Sequence, residues 1–239
     1  MKVALVYDRV NKWGGAERVL LALHKLFPNA PLYTSVFNPA KASWGQNFTI
    51  KTSFLQKVPF ASLRHEVLAT FMPVAFESFS FDEYDLVISL TSEAAKGIIT
   101  KPKTLHICCC LTPTRYLWSG YEEYFDNSIF RFITKPAVSY LRAWDRVAAQ
   151  RPDAFIAISK EVQERIKKYY SRESEVVYPP VTIQNSESRI QNLGYFLVVS
   201  RLVAYKQIDI AIKACNKLRL PLKIVGTGGQ ERTLRSIAG

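Results

Sequence analysis

Tyr195-Phe196-Leu197-Val198-Val199-Ser200-Arg201-Leu202-Val203-Ala204-Tyr205-Lys206 is the stretch that decides the fold. Its first five residues are apolar, β-branched or aromatic, the composition of a short buried strand. Gln207–Lys217 follows with Ile208, Ile212 and Cys215 on one face, which reads as a helix. Arg201 and Lys206 therefore sit on a strand-to-helix turn, where α/β sheets collect ligands. Two cations there suit a diphosphate: arginine offers a planar fork to phosphate oxygens and lysine adds a point charge. Spacing alone leaves a second reading open, in which both are solvated surface cations.

Downstream, the strand Leu222–Val225, the loop Gly226-Thr227-Gly228-Gly229 and a helix from Gln230 continue a β-α-β-α run. Upstream, the polar stretch Thr182–Asn192 reads as a linker. The expected organisation is thus a domain over 1–181, a linker over 182–193, and the start of a second domain over 194–239.

The first domain opens with Val3–Tyr7, a buried parallel strand, and reaches Gly14-Gly15-Ala16-Glu17 after a short loop. Val19, Leu20, Leu23, Leu26 and Phe27 then keep helical spacing up to Pro28. A glycine pair between a strand and a helix N-terminus is suited to binding an anion, because free N–H groups and the helix dipole point into the loop. The spacing is not G-x-G-x-x-G, so a dinucleotide site is weakly supported, and a purely connecting turn remains the alternative. Further strands are expected at Ala30–Phe37, Phe48–Thr52, Leu86–Leu90, Thr104–Cys110, Ala154–Ile158 and Glu175–Tyr178. Residues 56–79 read as one or two helices, with His65 structural. Thr91-Ser92-Glu93 reads as the cap of a short helix Ala94–Gly97, and Ser159 as the cap of Lys160–Tyr170.

After the strand ending at Cys110 comes Leu111-Thr112-Pro113-Thr114-Arg115-Tyr116-Leu117-Trp118. Arginine beside large aromatics can hold a sugar hydroxyl or a phosphate, or stack on a ring. An aromatic-packed turn with Arg115 in an ion pair explains the same text. Ile129–Gln150 is a long helical stretch mixing apolar residues with Arg131, Lys135, Arg142 and Arg146. It suits an acidic membrane surface or, with Pro136 interrupting the pattern, a domain-packing role.

The 239 residues carry a net charge of +12, which calls for anionic partners. Residues 194–239 hold eight Lys/Arg against two acids, half of that excess. Nucleic acid is disfavoured, because no recognition-helix or aromatic-platform motif accompanies the charge. Cys108, Cys109 and Cys110 are adjacent, so their side chains alternate between sheet faces. That is a poor disulfide framework, and no C-x-x-C pair suggests a metal. They read as small buried side chains of a reduced cytosolic protein. No apolar run approaches the length of a membrane span.

Taken together, Gly14-Gly15-Ala16-Glu17, Thr112–Trp118, Tyr140-Leu141-Arg142-Ala143-Trp144-Asp145, Phe155-Ile156-Ala157-Ile158-Ser159, Val177-Tyr178-Pro179-Pro180-Val181 and Ser200-Arg201-Leu202 with Lys206 stand in a familiar order. The chain resembles glycosyltransferase family 4, the retaining group 1 enzymes, in the branch that holds mannosyltransferases of bacterial polysaccharide assembly. The resemblance implies an α/β fold of the GT-B type, with a complete N-terminal Rossmann-like domain on the acceptor side and a nucleotide-sugar-binding domain, here incomplete. It implies that Arg201 and Lys206 are catalytic, holding the donor diphosphate and stabilising the departing nucleotide without an obligatory metal. By the same token Gly14 and Gly15 bind the donor, while Thr112, Arg115, Tyr116 and Trp118 face the acceptor. The expected donor is a nucleotide sugar, GDP-mannose favoured, and the acceptor a glycan or lipid-linked glycan. The expected place of action is the cytoplasm, with peripheral contact on the inner face of the cell membrane.

Two departures stand out. The family has histidine directly before Thr-Pro, where this sequence has Leu111, and leucine neither donates a hydrogen bond nor moves a proton. The family's two glutamates, eight positions apart on a later helix, do not occur before Gly239. The expectation is therefore a C-terminally truncated chain without transferase activity of its own. The alternative is a non-catalytic module that binds nucleotide sugar or glycan.

Overall fold

The computed structural model describes residues 1–59, 65–125, 127–181 and 194–239, with the side chains of 65–67 left aside. The chain divides into two compact units, Met1–Val181 and Thr182–Gly239. The expected linker over 182–193 and residues 60–64 of the apolar stretch 56–79 lie outside the described residues.

In the first unit, β1 (Val3–Tyr7) leads into α1 (Gly15–Leu26), then β2 (Leu32–Thr34) and β3 (Ile50–Thr52). A 3-10 turn over Phe54–Lys57, another over His65–Phe71 and α2 (Met72–Glu77) precede β4 (Leu86–Thr91) and β5 (Leu105–Cys110). Next come α3 (Tyr121–Tyr124), α4 (Ser128–Ala148), β6 (Ala154–Ala157), α5 (Lys160–Tyr170) and β7 (Glu175–Val176). The seven strands are all parallel, in the order β3-β2-β1-β4-β5-β6-β7. Every strand in such a sheet needs a crossover, and covering helices bury both faces. The alternation shows in β1, where Ala4 and Val6 join one core with Phe76, Phe81 and Ile98. Leu5 and Tyr7 join the opposite core with Leu20, Leu32 and Leu90. The three cysteines of β5 obey the same rule: Cys108 and Cys110 pack with Phe155 and Ile166, while Cys109 points to the other face. All three are buried and unbridged, and burial pushes the Cys109 thiol up to about 11 and that of Cys110 to about 12.

Several elements differ from the sequence expectation. The strand expected over Ala30–Phe37 is shorter. Pro31 has no N–H to give, and Ser35 turns its hydroxyl onto the Asp8 carbonyl at 2.5 Å, leaving Val10 and Phe37 as a separate bridge. The helix at 94–97 is a 3-10 turn, Ala95–Gly97. The strand expected to reach Tyr178 stops at Val176, with Pro179 and Pro180 just beyond. Pro136 does not interrupt α4, which runs unbroken for 21 residues. The proline lies on the exposed face, so the carbonyl it leaves without a helix partner can bond to water.

The second unit holds β8 (Phe196–Val199), a 3-10 turn over Ala204–Lys206, α6 (Ile208–Leu218), β9 (Leu222–Val225) and α7 (Glu231–Ile237). The strands β8 and β9 pair in parallel, Phe196 opposite Leu222. Leu202, Ile208, Ile212 and Leu234 form the core of this unit.

Candidate functional site

The strand order of the first unit reverses between β1 and β4, and their C-terminal ends open the crevice that such sheets use for ligands. Three loops meet along this edge: the one after β1, the one after β4, and Leu111–Trp118 after β5.

The first two loops are joined by Asp8. Its buried carboxylate accepts hydrogen bonds from Thr91 Oγ1 (2.8 Å) and from the backbone N–H groups of Ser92 (2.7 Å), Glu93 (3.1 Å), Ala94 (3.0 Å) and Ala95 (2.9 Å). A carboxylate at a turn of free N–H groups is favoured by their aligned dipoles. The next residue, Arg9, is also buried and ion-pairs with Glu93. The sequence reading gave these residues no role. The signal was an Asp-Arg pair directly after an apolar strand, but its partners lie more than 80 positions away.

The glycine pair divides its work. Gly14 precedes the first turn of α1, where a Cβ would meet Glu17 Oε2 at 3.1 Å. Glu17 is buried and accepts from Tyr7 Oη at 2.6 Å through Oε1. Burial, then the Glu17 carboxylate, raise the Tyr7 phenol well above its ordinary value. Gly14 therefore makes room for a buried carboxylate. Gly15 has open space where its Cβ would be, so a ligand could approach its backbone closely.

The loop after β5 is held by a fully buried ion pair. Lys96 Nζ lies 2.5 Å from Asp145 Oδ1, and each side chain is 1% exposed. Asp145 also accepts from Thr114 Oγ1 (3.1 Å) and from the Trp118 indole N–H (2.7 Å). Burial works against the charge on Lys96, but the Asp145 carboxylate outweighs it and the ammonium pKa is raised. Arg142 Nε donates to the Leu117 carbonyl at 2.7 Å, and Trp144 Nε1 to Glu77 at 2.7 Å. The text Tyr140–Asp145 is thus the clamp of the text Thr112–Trp118, which explains why both stand in one chain.

Among the residues expected to face an acceptor, Thr112 is half-buried and turns its hydroxyl to the Pro113 carbonyl at 3.2 Å. Arg115 ion-pairs with Glu123 at 3.1 Å. Tyr116 is half-buried, and desolvation raises its phenol against the pull of the nearby Arg9 charge. Trp118 stacks on Tyr169 at 5.2 Å, with the Arg146 guanidinium 4.9 Å from its ring centre. Leu111 is half-buried and packs against the core that contains Leu5 and Leu90. His106, the nearest histidine upstream, is buried with Nε2 2.8 Å from Ser89 Oγ, and burial pulls its pKa down to about 4.

Arg201 and Lys206 belong to the second unit, on the exposed segment after β8. Arg201 Nη2 donates to Tyr205 Oη at 2.6 Å, and Lys206 Nζ lies 5.5 Å from the same ring's centre. The segment rests on the glycine loop after β9. Leu202 N–H donates to the Thr227 carbonyl (2.9 Å), and Gln230 N–H to the Leu202 carbonyl (2.9 Å). A Cβ at Gly226 would lie 1.8 Å from the Ser200 carbonyl oxygen, and one at Gly228 would lie 2.2 Å from that of Leu202. Only glycine permits this contact, and Gly226 also takes φ +158°. Sequence reading saw the glycine loop but not that it supports the cations. Among the described residues no group of three or more His, Cys, Asp or Glu side chains could hold a metal ion.

A doubly wound parallel sheet followed by a second unit that begins in the same β-α-β manner is an α/β fold of the GT-B type. No protein-family model matches the sequence, and no curated protein does. Among solved structures, the crystal structure of Anabaena Alr3699/HepE in complex with UDP shares the fold with a TM-score of 0.63 at 20% identity. The match covers 99% of this chain and 64% of that one, so the chain spans just under two thirds of its neighbour.

Proposed function

We propose that the chain carries the acceptor-side unit and the first part of the donor-side unit of a retaining glycosyltransferase. The enzyme would move a sugar, mannose favoured, from a nucleotide-sugar donor such as GDP-mannose to a glycan or lipid-linked acceptor in bacterial polysaccharide assembly. It would act in the cytoplasm, at the inner face of the membrane. The observation that carries this reading is the cation pair Arg201 and Lys206, gathered around Tyr205 on a segment that two obligatory glycines hold in place. Fixed cations stabilise the charge that develops on a departing diphosphate and need no reorganisation as the bond breaks, so a metal is not obligatory. Support comes from the shared fold with a protein whose crystal structure holds UDP. The Gly15 backbone is the proposed donor contact of the first unit, and Thr112, Arg115 and Tyr116 the proposed acceptor contacts. Trp118 contributes chiefly by fixing their loop, since its indole N–H is bound to Asp145.

Calorimetric titration of the chain with GDP, UDP and GDP-mannose tests the reading. Binding is expected, and the Arg201→Ala/Lys206→Ala variant should bind at least tenfold more weakly, the loss of one to two charge-assisted phosphate contacts at about 1.5–3 kcal/mol each. Unchanged affinity in the variant, or no binding by the parent chain, would sink it.

A second reading, a non-catalytic module that binds nucleotide sugar or glycan, is favoured by one observation. Leu111 packs where the family it resembles has a histidine. In a protein carrying a whole donor-side unit, donor binding without transfer to a polyprenyl-linked glycan, and no gain from Leu111→His, would support this second reading.

A further inference from the structure

The helix α4 carries two apolar faces where a packed helix needs one. Val138, Leu141 and Ala148 are buried, with Asp145 beside them. On the opposite side Ile129 (70% exposed), Phe132 (79%), Ile133 (68%), Pro136, Tyr140 and Val147 are exposed. At 3.6 residues per turn these six fall within an arc of about 100°. They form a stripe along most of a helix about 31 Å long.

The charges beside the stripe have one sign. Arg131, Lys135, Arg142 and Arg146 follow one flank of the helix, whose sole acid, Asp145, is buried. Two of these cations are held in position. Arg131 Nε donates to the Phe125 carbonyl (2.9 Å) and Arg142 Nε to that of Leu117 (2.7 Å), with both guanidinium groups against the Tyr121 ring. With Phe132 and Lys135 they line an open groove of about 500 Å³. Glu122 and Glu123 lie nearby on α3, and Glu123 is paired with Arg115.

We propose that this face of α4 docks on an anionic phospholipid surface, with the apolar stripe in the acyl boundary and the cations among the phosphates. An interfacial helix has an apolar face, a basic flank and too little overall hydrophobicity to span a bilayer. Among the described residues no helix is long and apolar enough to cross a membrane. Self-association through the same face would set the four cations of one copy against those of the other, so an acidic lipid surface complements the helix better than a second copy does. The inference stands on this helix alone and survives or fails apart from the transferase reading.

Cosedimentation with vesicles of phosphatidylcholine, with and without phosphatidylglycerol, tests it. The chain should partition onto the mixed vesicles, and high salt should release it. Lys135→Gln should weaken partition about fivefold, from roughly 1 kcal/mol per basic residue near an acidic surface. Phe132→Ser should weaken it roughly tenfold or more, from the apolar area no longer buried. Both side chains are exposed, so the melting temperature should not move. Equal partition onto neutral vesicles, no partition at all, or no effect of Phe132→Ser would overturn the proposal. So would a concentration-dependent dimer that Phe132→Ser abolishes in a chain that ignores vesicles.

Discussion

Replacing Asp145 by asparagine should destabilise the first unit far more than the change in shape suggests. The carboxylate accepts from Lys96, Thr114 and Trp118 at 2.5, 3.1 and 2.7 Å, and neither it nor Lys96 meets water. Asparagine keeps the outline but leaves the Lys96 ammonium buried without a counter-charge. Breaking a buried pair on one side costs about 3–5 kcal/mol. For a unit of this size each kcal/mol lowers Tm by about 2–4 °C, so the melt should fall by about 6–20 °C. Urea unfolding followed by tryptophan fluorescence gives the free energy. Hydrogen exchange at Thr114–Trp118 reports whether the loop loosens first. A double-mutant cycle with Lys96→Met separates the pair from its surroundings: the double variant should be less destabilised than the sum of the singles. A loss below about 1 kcal/mol for Asp145→Asn, or additive singles, would refute the view that this pair organises the loop.

Other consequences are open to the same methods. His106 is held near pKa 4 by burial, while an unfolded histidine titrates near 6.5. Between those values the unfolded chain binds more protons, so stability should fall by roughly 3 kcal/mol as pH drops from 6.5 to 4, and His106→Gln should flatten that slope. A parent chain whose stability is level across the window contradicts this. Gly228→Ala would press a Cβ into the Leu202 carbonyl. It should destabilise the second unit by about 1–3 kcal/mol and weaken GDP binding without removing a ligand contact, and normal binding would count against the bracing role. Arg219, left-handed at φ +56° just past α6, should give way to glycine with a gain of about 0.5–1 kcal/mol, read as slower amide exchange in α6.

What could be read in advance followed the range of the interaction. The strands β1, β4 and β5 were legible because a buried parallel strand is a continuous apolar run bounded by polar turns. The same composition located β8, but the burial expected of it is not found, since Phe196, Leu197 and Val199 are exposed. The helices α5 and α6 were legible from spacing and, for α5, from the Ser159 cap, which accepts from Val162 N–H at 3.2 Å. Pro136 misled, because its effect depends on which face it occupies and a linear pattern does not give depth. Asp8, Glu17 and Asp145 escaped notice as anchors for a different reason. Their partners are backbone groups or distant side chains, and no local text announces a carboxylate that will be buried among donors. The residues Thr112–Trp118 stood out in the local text, where arginine sits beside large aromatics, and their acceptor-facing role came from resemblance, but the division of labour among them, with Trp118 as anchor, needed coordinates.

The knot that Asp8 ties also sets a schedule for synthesis. Residue 8 leaves the ribosome more than 80 residues ahead of the five donors it needs, at positions 91–95, and β1 must pair on one side with a strand equally late. Until then a carboxylate and the open flank of β1 wait together in water, which keeps that edge charged while it is most exposed to wrong partners. A carboxylate that gathers five donors in the finished unit thus helps keep the unfinished sheet soluble before it helps shape the crevice.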